Sequence, residues 1–211
     1  DSLNYDFQIS KGDFMMFNSG RGAIHMEETG QNLFNNGGIY HGFQIWLNSP
    51  AKFKYVAPTA HVFHSDKMAD IKEKDYSAKI VLGQMFEAKS KIETLFPVFY
   101  FHINLKAGCK LSIPVDATHN AFIYVIKGKI ETEGRTEVKS NQVVLYERGK
   151  NLINIFSSGD SEILLLGGKP HNEPVFAYGP FVMNSEEEIR KCYADYRDGK
   201  MGNPELVNKS K

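Results

Sequence analysis

Short apolar runs separated by glycine-rich turns recur along the chain, and their spacing predicts strands. Near the start, "YDFQIS" runs into Lys11-Gly12-Asp13, "FMMFN" runs into Ser19-Gly20-Arg21-Gly22, and "YHGFQIWLN" follows Gly37-Gly38. Such β-prone runs bounded by glycine are expected of a sheet sandwich or barrel. Residues 50–78 are more polar and irregular and read as a connector. From about Lys79 the pattern restarts: "AKIVLGQMF", "VFYFHINLKAG", "NAFIYVIKGKIETEG", "NQVVLYERG", "NLINIFSSG" and "SEILLLGGK". The turn-to-turn spacing is close to the roughly 8–12 residues of antiparallel sandwiches and barrels. This second half reads as a complete small β-barrel or jelly roll, with Lys127-Gly128-Lys129 as a tight turn between two apolar strands.

The first half is shorter of strands. Residues 1–50 supply about four, whereas a jelly roll takes about eight. Half a barrel exposes strand edges and an apolar face. The missing strands are expected upstream of Asp1, the alternative being that the connector and tail complete the sheet. The tail carries one clear helix. Ser185 and Glu188 form an S-x-x-E capping box, with Glu186 and Glu187 in the first turn, where the helix dipole favours acids. Ile189, Tyr193 and Tyr196 fall on one face, which predicts docking onto the protein's own body, and Gly199, Gly202 and Pro204 end the helix.

Composition narrows the classes. The 211 residues suffice for one large domain or two small ones. The 25 basic and 25 acidic residues cancel, which argues against direct nucleic-acid binding and against an anionic-membrane patch. No apolar run approaches the roughly 20 residues of a membrane span, and no signal-peptide pattern is present. Cys109 and Cys192 match no metal or redox spacing and read as reduced thiols of a cytoplasmic protein.

The chemistry-bearing stretch is "NSGRGAIHMEE", residues 18–28. At i and i+2 on a strand, His25 and Glu27 would share a face, roughly 6–7 Å apart along the backbone. Imidazole and carboxylate could then converge on one ion, as in the facial arrangements that suit Fe(II). A surface histidine beside glutamates fits the same letters, so both readings stand. The glycine turn around Arg21 reads as a tight turn or a phosphate nest. With no helix and no Lys-Ser/Thr pair behind it, it is not a P-loop.

Three longer stretches resemble the pirin family. "SKGDFMMFNSGRGAIHMEE" is similar to a cupin-barrel segment of that family, with its glycine-arginine-glycine turn, isoleucine, histidine, any residue and glutamate. "HGFQIWLNSPAKFKYVAP" resembles the segment that follows in pirins, and "YGPFVMNSEEEIRKCYADYRDGKMG" resembles their C-terminal element. The likeness runs from Asp1 to about Gly202 in the right order. It implies an all-β fold of two cupin (jelly-roll β-barrel) domains with a C-terminal helix. Residues 1–78 would be an N-terminal cupin domain lacking its early strands, plus the connector. Residues 79–180 would be the C-terminal cupin domain, and 181–211 the helix and tail.

The resemblance also implies a metal in the first barrel alone, held by three histidines and one glutamate. His25 and Glu27 match one histidine and the glutamate; two further histidine ligands, from an H-x-H segment, are expected upstream of Asp1. The expected cofactor is Fe(II) or another divalent transition metal where those histidines are present, and weak or no metal in this chain by itself. The other histidines are expected elsewhere: His41 in a pocket or in packing, His61 and His64 solvated in the connector, His102 in the core or lining the barrel, and His171 in a loop. His119 stands where an active second cupin would carry H-x-H, but Ala121 replaces the second histidine, so that barrel is expected to be metal-free. Two functions from different classes follow. One is a metal-dependent dioxygenase acting on a small aromatic substrate, a flavonol such as quercetin, with Glu27 as ligand and catalytic base. The other is a non-catalytic metal- or redox-sensing regulator whose protein partner is a transcription factor or a metabolic enzyme.

Overall fold

The computed structural model describes residues 1–203 and divides the chain into two compact units. One comprises Asp1–Ser65 and the chain from Asn172 onward; the other is Asp66–His171. The end of the tail, including the expected helix stop at Pro204, lies outside the described residues.

In the first unit β1 (Phe14–Asn18) pairs antiparallel with β2 (Thr59–Phe63), Phe14 opposite Phe63 and Asn18 opposite Thr59. A short helix, α1 (Gln31–Asn36), lies between them in sequence. Of the runs expected to be strands in residues 1–50, "FMMFN" alone is one among the described residues; "YDFQIS" and "YHGFQIWLN" are irregular. A strand needs a neighbour for its N–H and C=O groups. For β1 that neighbour is β2, which lies within the stretch read as connector. The connector expectation is corrected a second time by β3, described next.

The second unit holds β3 (Ala69–Lys72), β4 (Tyr76–Leu82), β5 (Gln84–Met85), β6 (Ala88–Lys89), β7 (Val98–Leu105), β8 (Lys110–Pro114), β9 (Asn120–Lys127), β10 (Lys129–Thr132), β11 (Glu137–Lys139), β12 (Val143–Tyr146), β13 (Leu152–Ser157) and β14 (Ser161–Gly168). A six-stranded antiparallel sheet has the order β12-β9-β14-β7-β4-β3, and a four-stranded one the order β11-β10-β13-β8. Their apolar faces form one core, which period-2 alternation places. Phe99, Phe101, Ile103 and Leu105 of β7, Ile123 and Val125 of β9, Ile153 and Ile155 of β13, and Ile163 and Leu165 of β14 are all buried in it. The same alternation turns His102 to the opposite face of β7, where Nε2 meets Glu162 at 2.7 Å with both side chains one-third exposed. The expectation of a core or barrel-lining His102 is thereby corrected.

Lys127-Gly128-Lys129 is a turn, but not one between paired strands: β9 lies in the six-stranded sheet and β10 in the four-stranded one. The chain changes sheets there. Gly128 has φ +78°, and a Cβ on it would lie 2.5 Å from the Asp160 carbonyl oxygen, so only glycine fits without displacement. Beside it Ser161 Oγ accepts from Lys129 N–H at 3.1 Å and from Ser157 Oγ at 2.9 Å, tying the corner to β13 and β14.

The chain then returns to the first unit through the hairpin β15 (Phe176–Tyr178) and β16 (Phe181–Met183), followed by α2 (Glu186–Arg197). Ser185 caps α2, its Oγ accepting from Glu188 N–H at 3.2 Å, while Glu188 Oε2 reaches back to Asn184 N–H at 3.0 Å. Ile189 is buried and Tyr193 packs edge-on against Phe181 and Tyr178, with ring centroids 5.0 and 5.7 Å away. Tyr196, expected on the same docked face, is 45% exposed; the buried stripe is one turn shorter than the spacing implied.

Candidate functional site

The loop that carries His25 and Glu27 starts where β1 ends. Its turn is closed by Gly22 N–H donating to Ser19 O at 2.8 Å and anchored by Arg21 N–H donating to Val56 O at 3.0 Å. Gly20 is pressed onto that same carbonyl: with φ +46°, a Cβ would lie 2.2 Å from Val56 O. The turn is therefore bound by its own chain, with the Arg21 side chain exposed. Three residues on, Ser2 clamps the backbone in both directions, its N–H donating to Ile24 O at 2.7 Å and its Oγ accepting from Ile24 N–H at 2.9 Å. The residue before His25 is thus fixed at both its polar atoms.

His25 itself stacks on Phe17 of β1, centroids 4.6 Å apart and planes 20° from parallel. Its Nδ1 then faces Glu27 Oε1 at 3.9 Å, with 34% and 46% of the two side chains exposed. This distance is too long for a hydrogen bond, whose limit is about 3.2 Å for N–H···O. The structure brings the two expected ligands to one side of the loop, but not by way of a strand: residues 23–30 belong to no strand, Ser2 at Ile24 being their backbone anchor. The chain's two-residue step and the Phe17 platform do the aligning instead.

A resident metal can be tested against these donors. Imidazole nitrogen and carboxylate oxygen are the right types for Fe(II) or Zn²⁺. Catalytic sites of this kind keep about three protein ligands, and no cluster of three or more His, Cys, Asp or Glu that could hold an ion exists among the described residues. Two donors at this spacing do not fit a firmly held metal by themselves.

The remaining histidines are dispersed. His41 is exposed and tilted against Phe43. His61 sits on β2 opposite Met16, exposed. His64 was expected to be merely solvated; its Nδ1 lies 3.1 Å from Asp13 Oδ2, an interaction with no local sequence signal. Asp13 also accepts from Ser10 N–H at 3.0 Å and Ser65 N–H at 2.9 Å, so it ties the loop before β1 to the end of β2. Burial raises the Asp13 pKa, but these hydrogen bonds and the facing His64 outweigh it and hold the carboxyl below its usual range. His171 meets Phe96 edge-on at 4.7 Å. His119 lies nearly parallel to Phe99, its side chain only 14% exposed. Both thiols, Cys109 and Cys192, are free, and no helix among the described residues is long and apolar enough to cross a membrane.

Comparison with known proteins gives these features a context. The family described as "Pirin C-terminal cupin domain" matches residues 100–202. A pirin-like protein of Solanum lycopersicum is 32% identical over 205 residues, covering 96% of this chain and 69% of that protein. Pirin-1 of Arabidopsis thaliana is 30% identical over 208 residues, covering 96% of this chain and 70% of that protein. The crystal structure of a quercetin 2,3-dioxygenase from Acinetobacter baumannii superposes with a TM-score of 0.72 at 26% identity, over 75% of this chain and 56% of that one. The chain thus spans about seven-tenths of these curated relatives and a little over half of the solved enzyme.

Proposed function

The chain belongs to the pirin family, and from that premise we propose that it serves as a metal-dependent cupin enzyme that oxidises flavonols such as quercetin. The observation that carries this reading is the approach of His25 and Glu27 at 3.9 Å on a loop fixed by Ser2, Gly20 and Phe17. In it, residues 1–65 and the chain from Asn172 contribute to the first of two cupin domains, and residues 66–171 form the second. His25 and Glu27 would be two of the metal's ligands, with two further histidines expected from an H-x-H segment upstream of Asp1. The bound ion would supply Lewis-acid and redox chemistry. The Glu27 carboxylate, nearly half exposed, would accept the proton of an incoming flavonol hydroxyl. The similarity to a solved quercetin 2,3-dioxygenase supports the substrate class.

The test is quercetin consumption under air, followed by loss of its visible absorbance, together with metal analysis. The 211-residue chain should retain Fe(II) weakly. The chain extended by an H-x-H segment should retain it stoichiometrically, and Glu27→Gln and His25→Ala should each cut metal retention and quercetin loss by about ten-fold or more, the scale of losing one ligand or a catalytic base. Turnover unchanged by both substitutions would overturn the assignment. A second reading, a regulator that acts by binding another protein, is favoured by large apolar side chains left open in the first unit: Phe34, Ile39, Tyr40 and Trp46 are 75%, 91%, 73% and 63% exposed. Metal-replete extended protein with no flavonol turnover would select it.

A further inference from the structure

The second unit has a concavity of its own. A pocket of about 800 Å³ opens there, within the roughly 300–1,000 Å³ of small-molecule sites. Phe99, Phe101 and Ile92, all 9% exposed or less, form its apolar base. On one wall the rings of Phe101, Phe99 and His119 form a stack, Phe99 lying 5.4 Å from Phe101 and 6.2 Å from His119 with planes 26° and 18° from parallel, and His119, its side chain 14% exposed, is the most open of the three. A planar ring is the shape that such a wall stacks best.

The segment from Lys89 to Thr94 also lines the pocket, and its backbone is held in place by its own hydrogen bonds. Ser90 N–H donates to Gly83 O at 2.8 Å and Ser90 Oγ to Val81 O at 2.7 Å. Ile92 N–H donates back to Ser90 Oγ at 3.0 Å, and Thr94 Oγ1 donates to Phe96 O at 2.8 Å. The wall is therefore formed before any ligand arrives, which lowers the ordering cost of binding.

The charges on the rim are arranged unequally. Asp116 Oδ1 accepts from Thr118 Oγ1 at 2.6 Å and Thr118 N–H at 2.8 Å, and these bonds hold its carboxyl below the usual range. Its Oδ2 lies 3.9 Å from His119 Nε2. Asp116 is thus engaged within its own loop. Lys89 and Lys91 are exposed on the rim and have no carboxylate partner among the described residues; Glu93 follows on the same wall. With His119 as the lone imidazole and no cluster of three metal-donor side chains, the pocket is organised for an organic ligand rather than an ion.

We propose that this pocket binds a planar aromatic anion, its ring extending the stack at His119 and its acid group at Lys89 and Lys91. The site shares no residue with the His25–Glu27 loop and does not depend on the function proposed for it.

The test is a ¹⁵N–¹H correlation titration of the 211-residue protein with 1-naphthoate, with the neutral 1-naphthalenemethanol as its counterpart. Naphthoate should produce saturable shifts at Ser90, Ile92, Thr94, Phe99 and His119. The double substitution Lys89→Glu/Lys91→Glu should weaken naphthoate by about ten-fold, the loss of roughly one charge-assisted contact, while leaving naphthalenemethanol unchanged. Both positions are exposed, so the variant keeps its fold, and the same spectra verify that. His119→Ala should weaken both ligands. Absence of shifts at these amides, shifts confined to residues 34–47, or equal binding of naphthoate by wild type and the double variant would each overturn the proposal.

Discussion

Ser161 and Asp13 are single residues that hold distant parts of the chain together. Ser161, 5% exposed, receives Lys129 N–H and Ser157 Oγ–H. Ser161→Ala would leave the Lys129 N–H unmet, while Ser157 Oγ–H keeps the Gly159 carbonyl, and the expected loss is about 1–3 kcal/mol of stability, read as a lowered urea midpoint. Asp13 has a folded pKa depressed below its unfolded value of about 3.9. Its contribution is therefore complete above that value and vanishes as pH falls through the lower folded pKa. Asp13→Asn should lower the thermal midpoint near neutral pH, and the gap to wild type should close below about pH 4. A gap of constant size across that range would show that the charge is irrelevant. The ties from Ser161 to Lys129 and from Asp13 to Ser65 were not legible in the sequence, because they span 32 and 52 positions. His25 and Glu27 were legible because two-residue spacing is local; the Phe17 ring that orients His25 was not.

At the scale of elements, the same division between local and distant information decides what could be read. Helix α2 follows from Ser185 and Glu188, whose capping contacts span three residues. Ser185→Ala should cost about 1 kcal/mol. Ile189→Ala should cost about 2–5 kcal/mol, since that side chain is only 6% exposed. Tyr196→Ala should cost little by comparison, as its ring is 45% exposed. Thermal denaturation of the three variants checks the order, and a large loss at Tyr196 would contradict it. The strands of the second unit were equally visible where long apolar runs marked them, as in β7, β9 and β14. β8 was missed because "KLSIP" alternates over only five residues and ends in proline. The failed strands of residues 1–50 have the opposite cause: "YHGFQIWLN" has β composition, yet composition cannot supply the neighbour that a strand must pair with. The sheet change at Gly128 was hidden for the same reason, since a corner and a hairpin turn use the same letters.

The two units of the whole molecule differ sharply in how much core they possess. The cluster from Ala78 to Leu165, with Phe101, Ile103, Ile123, Val125 and Leu165 at 0% exposure, lies wholly within Asp66–His171. In the other unit, among the described residues, the buried apolar side chains are Pro50, Ala60, Met183, Ile189 and Met201, while Phe34, Ile39, Tyr40 and Trp46 stand open. Burial contributes about 25 cal/mol per Å² of apolar area, so the first unit draws far less stability from its own packing. Local stability varies across a structure in the same way. Trp46 is the sole tryptophan and sits in that unit, so its fluorescence reports on the first unit, whereas far-UV circular dichroism is dominated by the six- and four-stranded sheets of the second. We expect two transitions in urea: acrylamide quenching and emission of Trp46 should change at lower denaturant than the sheet signal. A ligand or protein partner that covers the apolar side chains should reduce the quenching and move the first transition towards the second, by linkage. Coincident transitions in the isolated protein would show that the first unit is stabilised as one cooperative body with the second, and its exposed apolar face would then no longer mark it as the weaker part.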